Sequence, residues 1–277
     1  MRLGMALPYQ QPDGSAPSVT DVMARAKLIE DVGFDGIWLN DTVGRTATTW
    51  PDPLMWLLAA AASTRRIELG TAVLQVPLRN TVDLALRLIT LHALSGGRFR
   101  AGLGAGSTQT DFAAAGVDYS QRFRLFAEAL PAIRRLCNGE QVGAANLQPW
   151  PSTRGGLPIF IGAWASGIWV LRAARDYDGW IASARTSFKT LAEGIERYRD
   201  AGGKRALVAT LSVDLSRPEA PLDEDAPLNL LCGPESAAER LQRIVGLGYD
   251  DALLVRFGHT EADLTAADLR QIRALIR

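Results

Sequence analysis

The chain has 277 residues, 47% of them hydrophobic and 22% charged, and its 30 basic and 30 acidic residues cancel to a formal charge of zero. That is enough chain for a substantial core, and balanced charge without a long run of one sign excludes the usual footprint of a nucleic-acid-binding protein. Two distant cysteines, Cys137 and Cys232, without a CxxC or a Cys/His cluster, exclude a disulfide framework and a structural zinc site.

In chain order, short apolar runs alternate with longer stretches of helical spacing, the mark of βαβ units and a parallel sheet. "RLGMAL" reads as the first strand, and the helix after it spans about 18–32, with Ser18 or Thr20 as cap and Gly33 as stop. "GIWLN" and "DPLMWLLAAAAST" form the second pair, with Pro53 in the first helical turn. "IELGTAV" and "TVDLALRLITLHALS" form the third, and "FRAGLG" and "SQRFRLFAEALPAIRRLC" the fourth, which Pro131 is expected to kink. After a turn-rich insertion at 138–157 the alternation resumes with "PIFIGA" and "ASGIWVLRAARD", "DGWIASA" and "SFKTLAEGIERYRDA", "RALVATLSVDL" and "PESAAERLQRIVGLG", then "DALLVRF" and "TAADLRQIRALIR".

Eight such units in a chain of this length predict a single (β/α)8 TIM barrel over 1–277, with an insertion after the fourth helix. A doubly wound open sheet is the competing arrangement. "GLGAG" is a poor dinucleotide fingerprint, since its spacing is GxGxG without the third glycine in place. The start "MRLGMALPYQQPDG" does not resemble a signal peptide, and no stretch approaches the roughly 18 apolar residues of a membrane span. A cytoplasmic protein without membrane partners is expected.

Barrel active sites lie at the C-terminal ends of the strands. That rule selects Pro8 and Tyr9, Asn40 to Thr42, Thr71 to Val73, Gly104, Gly106, Ser107 and Thr108, Gly162 to Ser166, Ser183 and Arg185, and Arg256. Two of the loops, "GLGAGST" and "GAWASG", offer small residues and free backbone N–H groups at a helix start, which suits a phosphate, with tight packing at the rim as the alternative. Trp50 and Trp164 fall in rim loops as aromatic walls for a flat ligand, whereas Trp38, Trp56 and Trp180 read as core. Of the two histidines, His92 reads as a surface or capping residue on the outer helices, and His259 as a solvated loop residue. No metal site, GxSxG elbow or Cys-His pair is present; Asp41 is the best-placed carboxylate, with a cap for the following segment as its other reading. Such a rim implies a cofactor that brings the reactivity.

The blocks "AKLIEDVGFDGIWLND", "DPLMWLLAAAASTRRIELGTAV", "PLRNTVDLALRLITLHALSGGRFRAGLGAG", "DYSQRFRLFAEAL" and "PIFIGAWASGIWVLRAARDYDGW" resemble, in order, the signature blocks of the bacterial-luciferase-like flavin-dependent oxidoreductases. The resemblance implies a pocket for reduced FMN or the deazaflavin coenzyme F420. It places Thr71, Ala72 and Val73 against the ring, with a non-prolyl cis peptide at 72–73. Gly104, Gly106 and Ser107 fall near the ring and its side chain, and Ala163, Trp164, Ala165, Ser166 and Gly167 near the phosphate. Many members carry an acidic residue followed by histidine after the second strand; here the pair is Asp41-Thr42, leaving Asp41 as the candidate base. The glutamate of the deazaflavin sugar-phosphate dehydrogenases is replaced by Ser107.

The resulting expectation is a two-component FMNH2-dependent monooxygenase acting on a small organic substrate. A separate flavin reductase would supply it, since no second nucleotide-binding domain is visible. The alternatives are a coenzyme F420-dependent hydride-transfer enzyme, with Arg45, Arg79 and Arg185 available for the acidic tail, and a flavin-binding barrel with little catalysis. The segments 43–52 and 138–157 are expected to shape the substrate pocket and favour an apolar ligand, and a homodimer is expected by analogy.

Overall fold

The computed structural model describes residues 1–11, 13–44, 50–256 and 265–276. Its strands are β1 (Arg2–Met5), β2 (Gly36–Leu39), β3 (Glu68–Thr71), β4 (Leu74–Gln75), β5 (Phe99–Gly104), β6 (Ile159–Gly162), β7 (Gly179–Ser183), β8 (Ala206–Val213) and β9 (Asp251–Arg256). All neighbours pair in parallel, and the ring closes because β1 pairs with both β2 and β9 while β3 pairs with β5. The two residues of β4 pair only with β5, and they resume the third strand after a break at Ala72–Val73, where the peptide is cis. The result is the (β/α)8 barrel, with one strand in two pieces.

The helices are α1 (Val19–Val32), α2 (Pro53–Ser63), α3 (Thr81–Leu94), α4 (Gln109–Ala114), α5 (Arg122–Cys137), α6 (Trp169–Asp176), α7 (Phe188–Asp200), α8 (Pro234–Leu247) and α9 (Ala266–Arg273). Local chemistry sets their ends. Ser18 and Asp21 form a capping box on α1, and Gly33 closes that helix at φ +98°. Asp52 accepts from the Leu54 and Met55 amides at the start of α2, next to Pro53 in the first turn.

The helix α5 continues across Pro131, with the fully buried Leu130 and Ile133 beside it. Two expectations fail here. The short α4 occupies what reads as loop. His92 is buried rather than on the surface, with Nδ1 3.1 Å from the Phe99 carbonyl, and burial pushes its pKa below the ordinary histidine value. His259 and Arg45 lie outside the described residues.

Two apolar layers result. The larger lies between strands and helices, and the smaller fills the barrel with Trp38, Phe160, Ile181, Leu207, Ala209 and Leu253. Trp38 fits because Gly4, Gly36 and Gly70 carry no Cβ; one at any of these positions would collide with its indole. Below this plug, at the N-terminal ends of the strands, Arg205 binds Glu68 at 2.8 Å and Asp251 at 2.7 Å. Arg2 and Arg100 add further pairs to Glu68. The lower end of the barrel is therefore sealed by packing and charge, and only the upper end is open. No helix among the described residues is long and apolar enough to cross a membrane.

Candidate functional site

A cavity of about 510 Å³ opens at the C-terminal ends of the strands, within the usual size range of small-molecule and cofactor sites. Its inner wall is built from small residues, including Ala72, Gly104, Gly162, Ala182 and Ala209. Val73 stands among them because of two glycines: a Cβ at Gly162 would lie 2.7 Å from the Val73 side chain, and one at Gly104 would clash with it.

This changes the reading of the glycine-rich strand end. The space beside Gly102 is taken by the Thr71 carbonyl, that beside Gly104 by Val73, and that beside Gly106 by Gln75 and Phe112. The missing side chains make room for protein rather than directly for a cofactor tail, although the Gly104 and Gly106 backbone still forms cavity wall. A rim valine at Gly106 therefore does more than fill ligand space. Gly106 has φ +81°, and its Cβ would lie 2.7 Å from both the Gln75 amide oxygen and the Phe112 ring. Gly106→Val is expected to lower stability by about 1–3 kcal/mol as well as weaken ligand binding. Chemical denaturation with the variant would show it; an unchanged midpoint contradicts the packing argument.

Asp41 lines the cavity, but its carboxylate is fully engaged. Both oxygens are held by the Arg79 guanidinium, at 2.6 and 2.8 Å, and Oδ2 also accepts from the Gln75 backbone at 2.8 Å. Burial works against the Arg79 charge, yet Asp41 outweighs it and holds the guanidinium pKa above its ordinary value. A bidentate ion pair of this kind holds geometry. Through it Asp41 anchors the end of β2 to Arg79.

Next to it lies a second buried carboxylate that the sequence did not single out. Asp111 is fully buried at the start of α4 and accepts from Gln75 Nε2 at 2.6 Å, Thr42 Oγ1 at 3.0 Å and the Gly44 amide at 2.9 Å. Burial opposes its charge most, but these hydrogen bonds together hold the carboxyl below the usual aspartate range. Thr42 thus hydrogen-bonds, as its side chain allows, toward Asp111.

The mouth of the cavity is apolar and basic. Phe123, Trp164 and Ile168 line it with substantial exposure, and Arg122 and Arg185 stand between them. The Arg122 guanidinium lies 3.9 Å over the Tyr119 ring and 4.3 Å over the Phe123 ring. The helix α6 starts only at Trp169, later than its sequence suggests, because residues 164–167 close a turn through the Gly167 amide and the Trp164 carbonyl at 2.8 Å.

Of the residues expected in the site, the cavity brings together Asp41, Ala72, Val73, Gly104, Gly106, Ser107, Ala163, Trp164 and Gly167. Of those the resemblance places at the cofactor it leaves out three, and of the other rim positions it leaves out Pro8, Tyr9, Thr42, Trp50 and Arg256. Thr71 is buried between strands, its hydroxyl bonded to the Gly102 carbonyl at 2.8 Å. Ala165 is buried with its carbonyl bound by Arg197, and Ser166 points outward. Tyr9 and Trp50 pack on each other at 4.4 Å instead of lining the cavity. The described residues of 43–52 and all of 138–157 also lie off it; α5 supplies Arg122, Phe123 and Phe126 in their place. The missed residues Gln75, Phe123 and Thr210 carried no motif.

Over residues 1–250 the sequence matches the luciferase-like monooxygenase family. The chain belongs to this family. Among its luciferase-like relatives, 5,10-methylenetetrahydromethanopterin reductase of Methanolobus tindarius is 30% identical over 243 residues, covering 84% of this chain and 69% of the relative. 4-Hydroxyprotoasukamycin monooxygenase of Streptomyces nodosus subsp. asukaensis is 32% identical over 146 residues, 49% of this chain but only 39% of the relative. An F420-dependent secondary alcohol dehydrogenase in complex with an F420-acetone adduct has the same fold, with a TM-score of 0.76 over 100% of this chain and 99% of the other at 16% identity. Luciferase-like enzymes thus include monooxygenases and F420-dependent oxidoreductases, and this chain is an enzyme of that broad kind.

Proposed function

We propose that this luciferase-like enzyme is an FMNH2-dependent monooxygenase for a small, largely apolar organic substrate, supplied with reduced flavin by a separate reductase. The cavity suits such a cofactor: its inner wall of small residues would leave room for a planar ring, and the lining Arg122 and Arg185 would suit an anionic tail. Reduced flavin bound there would supply oxygen-activating chemistry, and reduced coenzyme F420 would supply hydride transfer instead.

The observation that carries the choice is the state of the carboxylate. Hydride transfer from or to an oxygen-bearing carbon needs a group that takes or gives the hydroxyl proton. Among the described residues lining the cavity, Asp41 is the one carboxylate, and Arg79 and Gln75 occupy it. What the chain's residues do well is bind, orient and exclude water. Asp41 and Arg79 fix the end of β2, Asp111 fixes the loop beside it, and the apolar mouth favours an apolar substrate body.

Anaerobic titration of the protein with reduced FMN, and in parallel with reduced coenzyme F420, tests this. Tight binding of reduced FMN, with oxygen uptake that changes when substrate is added, is the expected result. Preference for F420 with no dependence on oxygen would move the enzyme to hydride transfer, and binding of neither would remove the cofactor site.

A further inference from the structure

Strand β8 holds one residue more than its partner. Leu207 and Val208 pair with Asp251 and Ala252, but the ladder then resumes at Leu211 opposite Leu254, so three steps on β8 answer two on β9. Before this point Leu207 and Ala209 face the barrel interior while Ala206 and Val208 face the helices; beyond it Leu211 and Val213 face the helices. Two consecutive residues, Ala209 and Thr210, are therefore both on the cavity wall. An inserted residue of this kind re-aims a side chain.

Thr210 adopts φ +65° and is the sole non-glycine residue with positive φ among the described residues. A β-branched side chain is poorly suited to that region, which glycine enters freely. The side chain is thus held toward the cavity by its buried neighbours Ala209 and Leu211 against its own backbone preference. Its hydroxyl makes no hydrogen bond to any described residue, and neither does the Asn40 side chain, which also lines the cavity. Asp41 and Gln75, by contrast, spend their donors and their carboxylate oxygens on each other, Arg79 and Asp111. Two uncharged polar groups stand ready for a ligand below an apolar mouth where Ile168 is 72% and Phe123 48% exposed.

We propose that Thr210 forms a subsite that recognises one uncharged oxygen function, an alcohol, phenol or ketone, on a substrate whose body is apolar. A threonine hydroxyl both donates and accepts, so it pairs with any of the three. The assignment rests on the reading of the cavity as the active site of an oxidoreductase, and it makes Thr210 a specificity-determining residue of that site.

Equilibrium dialysis of the full chain against 2-naphthol and 2-methylnaphthalene, which share a ring system and differ in one oxygen, reads the subsite. The wild type is expected to prefer 2-naphthol, and Thr210→Val, close in shape but without the hydroxyl, to reduce that preference about five-fold. The change should come from weaker 2-naphthol binding, with 2-methylnaphthalene unaffected. Thr210→Gly, free of the β-branched penalty, is expected to keep its Tm and lose the preference equally. A preference that persists in both variants would overturn the proposal, and so would an equal loss for both probes, because shape alone would then explain it. Titration of the wild type with reduced FMN and F420 separates the two readings. Failure of both cofactors beside an intact 2-naphthol preference sinks the oxidoreductase reading alone, whereas a bound cofactor with no preference sinks the subsite alone.

Discussion

Asp111→Ala is expected to abolish cofactor binding and to lower stability by about 2–4 kcal/mol. The carboxylate is fully buried and collects donors from three places: the Gln75 amide at 2.6 Å, the Thr42 hydroxyl at 3.0 Å and the Gly44 backbone at 2.9 Å. Alanine would leave those donors unsatisfied away from water, at a cost of about 1–3 kcal/mol for each that finds no new partner. Gln75 also binds Asp41, so the disturbance reaches the cavity wall. Asp111→Asn should lose less, since it keeps the volume and one acceptor while turning an NH2 group toward a donor. A D111A protein that binds reduced FMN or F420 like the wild type would refute the link between this network and the site.

The same carboxylate predicts a pH dependence. Its folded pKa lies below the ordinary aspartate value, so the ionised form is favoured by folding. Its contribution is complete above the unfolded value of about 4 and is lost as pH falls through the depressed folded value. Melting temperatures of wild type and D111A should therefore converge as pH falls from about 4 through the depressed folded value, where the folded carboxyl too takes up its proton.

Arg205→Ala is the second large effect, expected at about 3 kcal/mol of stability with cofactor affinity unchanged. The guanidinium sits between Glu68 and Asp251 at the closed end of the barrel, and both carboxylates are buried. Burial is the strongest influence on each acid. For Glu68 the Arg205 bond and the nearby Arg2 and Arg100 outweigh it and lower the pKa, whereas for Asp251 burial prevails and raises it. Without Arg205 the two carboxylates face each other with less compensation, so their folded pKa values rise above the unfolded ones. A raised acid gains stability as pH falls, and the gap between variant and wild type should narrow between pH 7 and pH 5. Urea denaturation at both pH values measures it; a gap that is constant or wider at pH 5 would show that lost packing against Phe160, 5.4 Å from the guanidinium, dominates.

Much of the fold was legible because its signals are local. The run of strand and helix units, the Ser18 cap, the Gly33 stop and the Asp52-Pro53 start each depend on residues within a turn or two. The rim rule then placed Ala72, Val73, Gly104, Gly106 and Trp164 in the same cavity. The misreadings have a different character. His92 reads as a surface or capping residue because its helix is taken alone, yet packing buries it with Nδ1 3.1 Å from the Phe99 carbonyl.

Asp41 reads as a candidate base from its place after the second strand; its ion-pair partner Arg79 is 38 residues away and arrives only when β2 and the third strand lie side by side. Asp111 looks like an ordinary acidic residue in a loop until Thr42, 69 residues earlier, is brought against it. The strand "ALVATLSV" gives no sign that Thr210 and Ala209 share a face, since the extra residue exists only relative to the ladder with β9. Periodicity and capping act within a few residues and can be read in order along the chain. Which atom fills the space beside Gly104, and which way the hydroxyl at 210 points, depend on the neighbouring strands, and those are set when the ring closes.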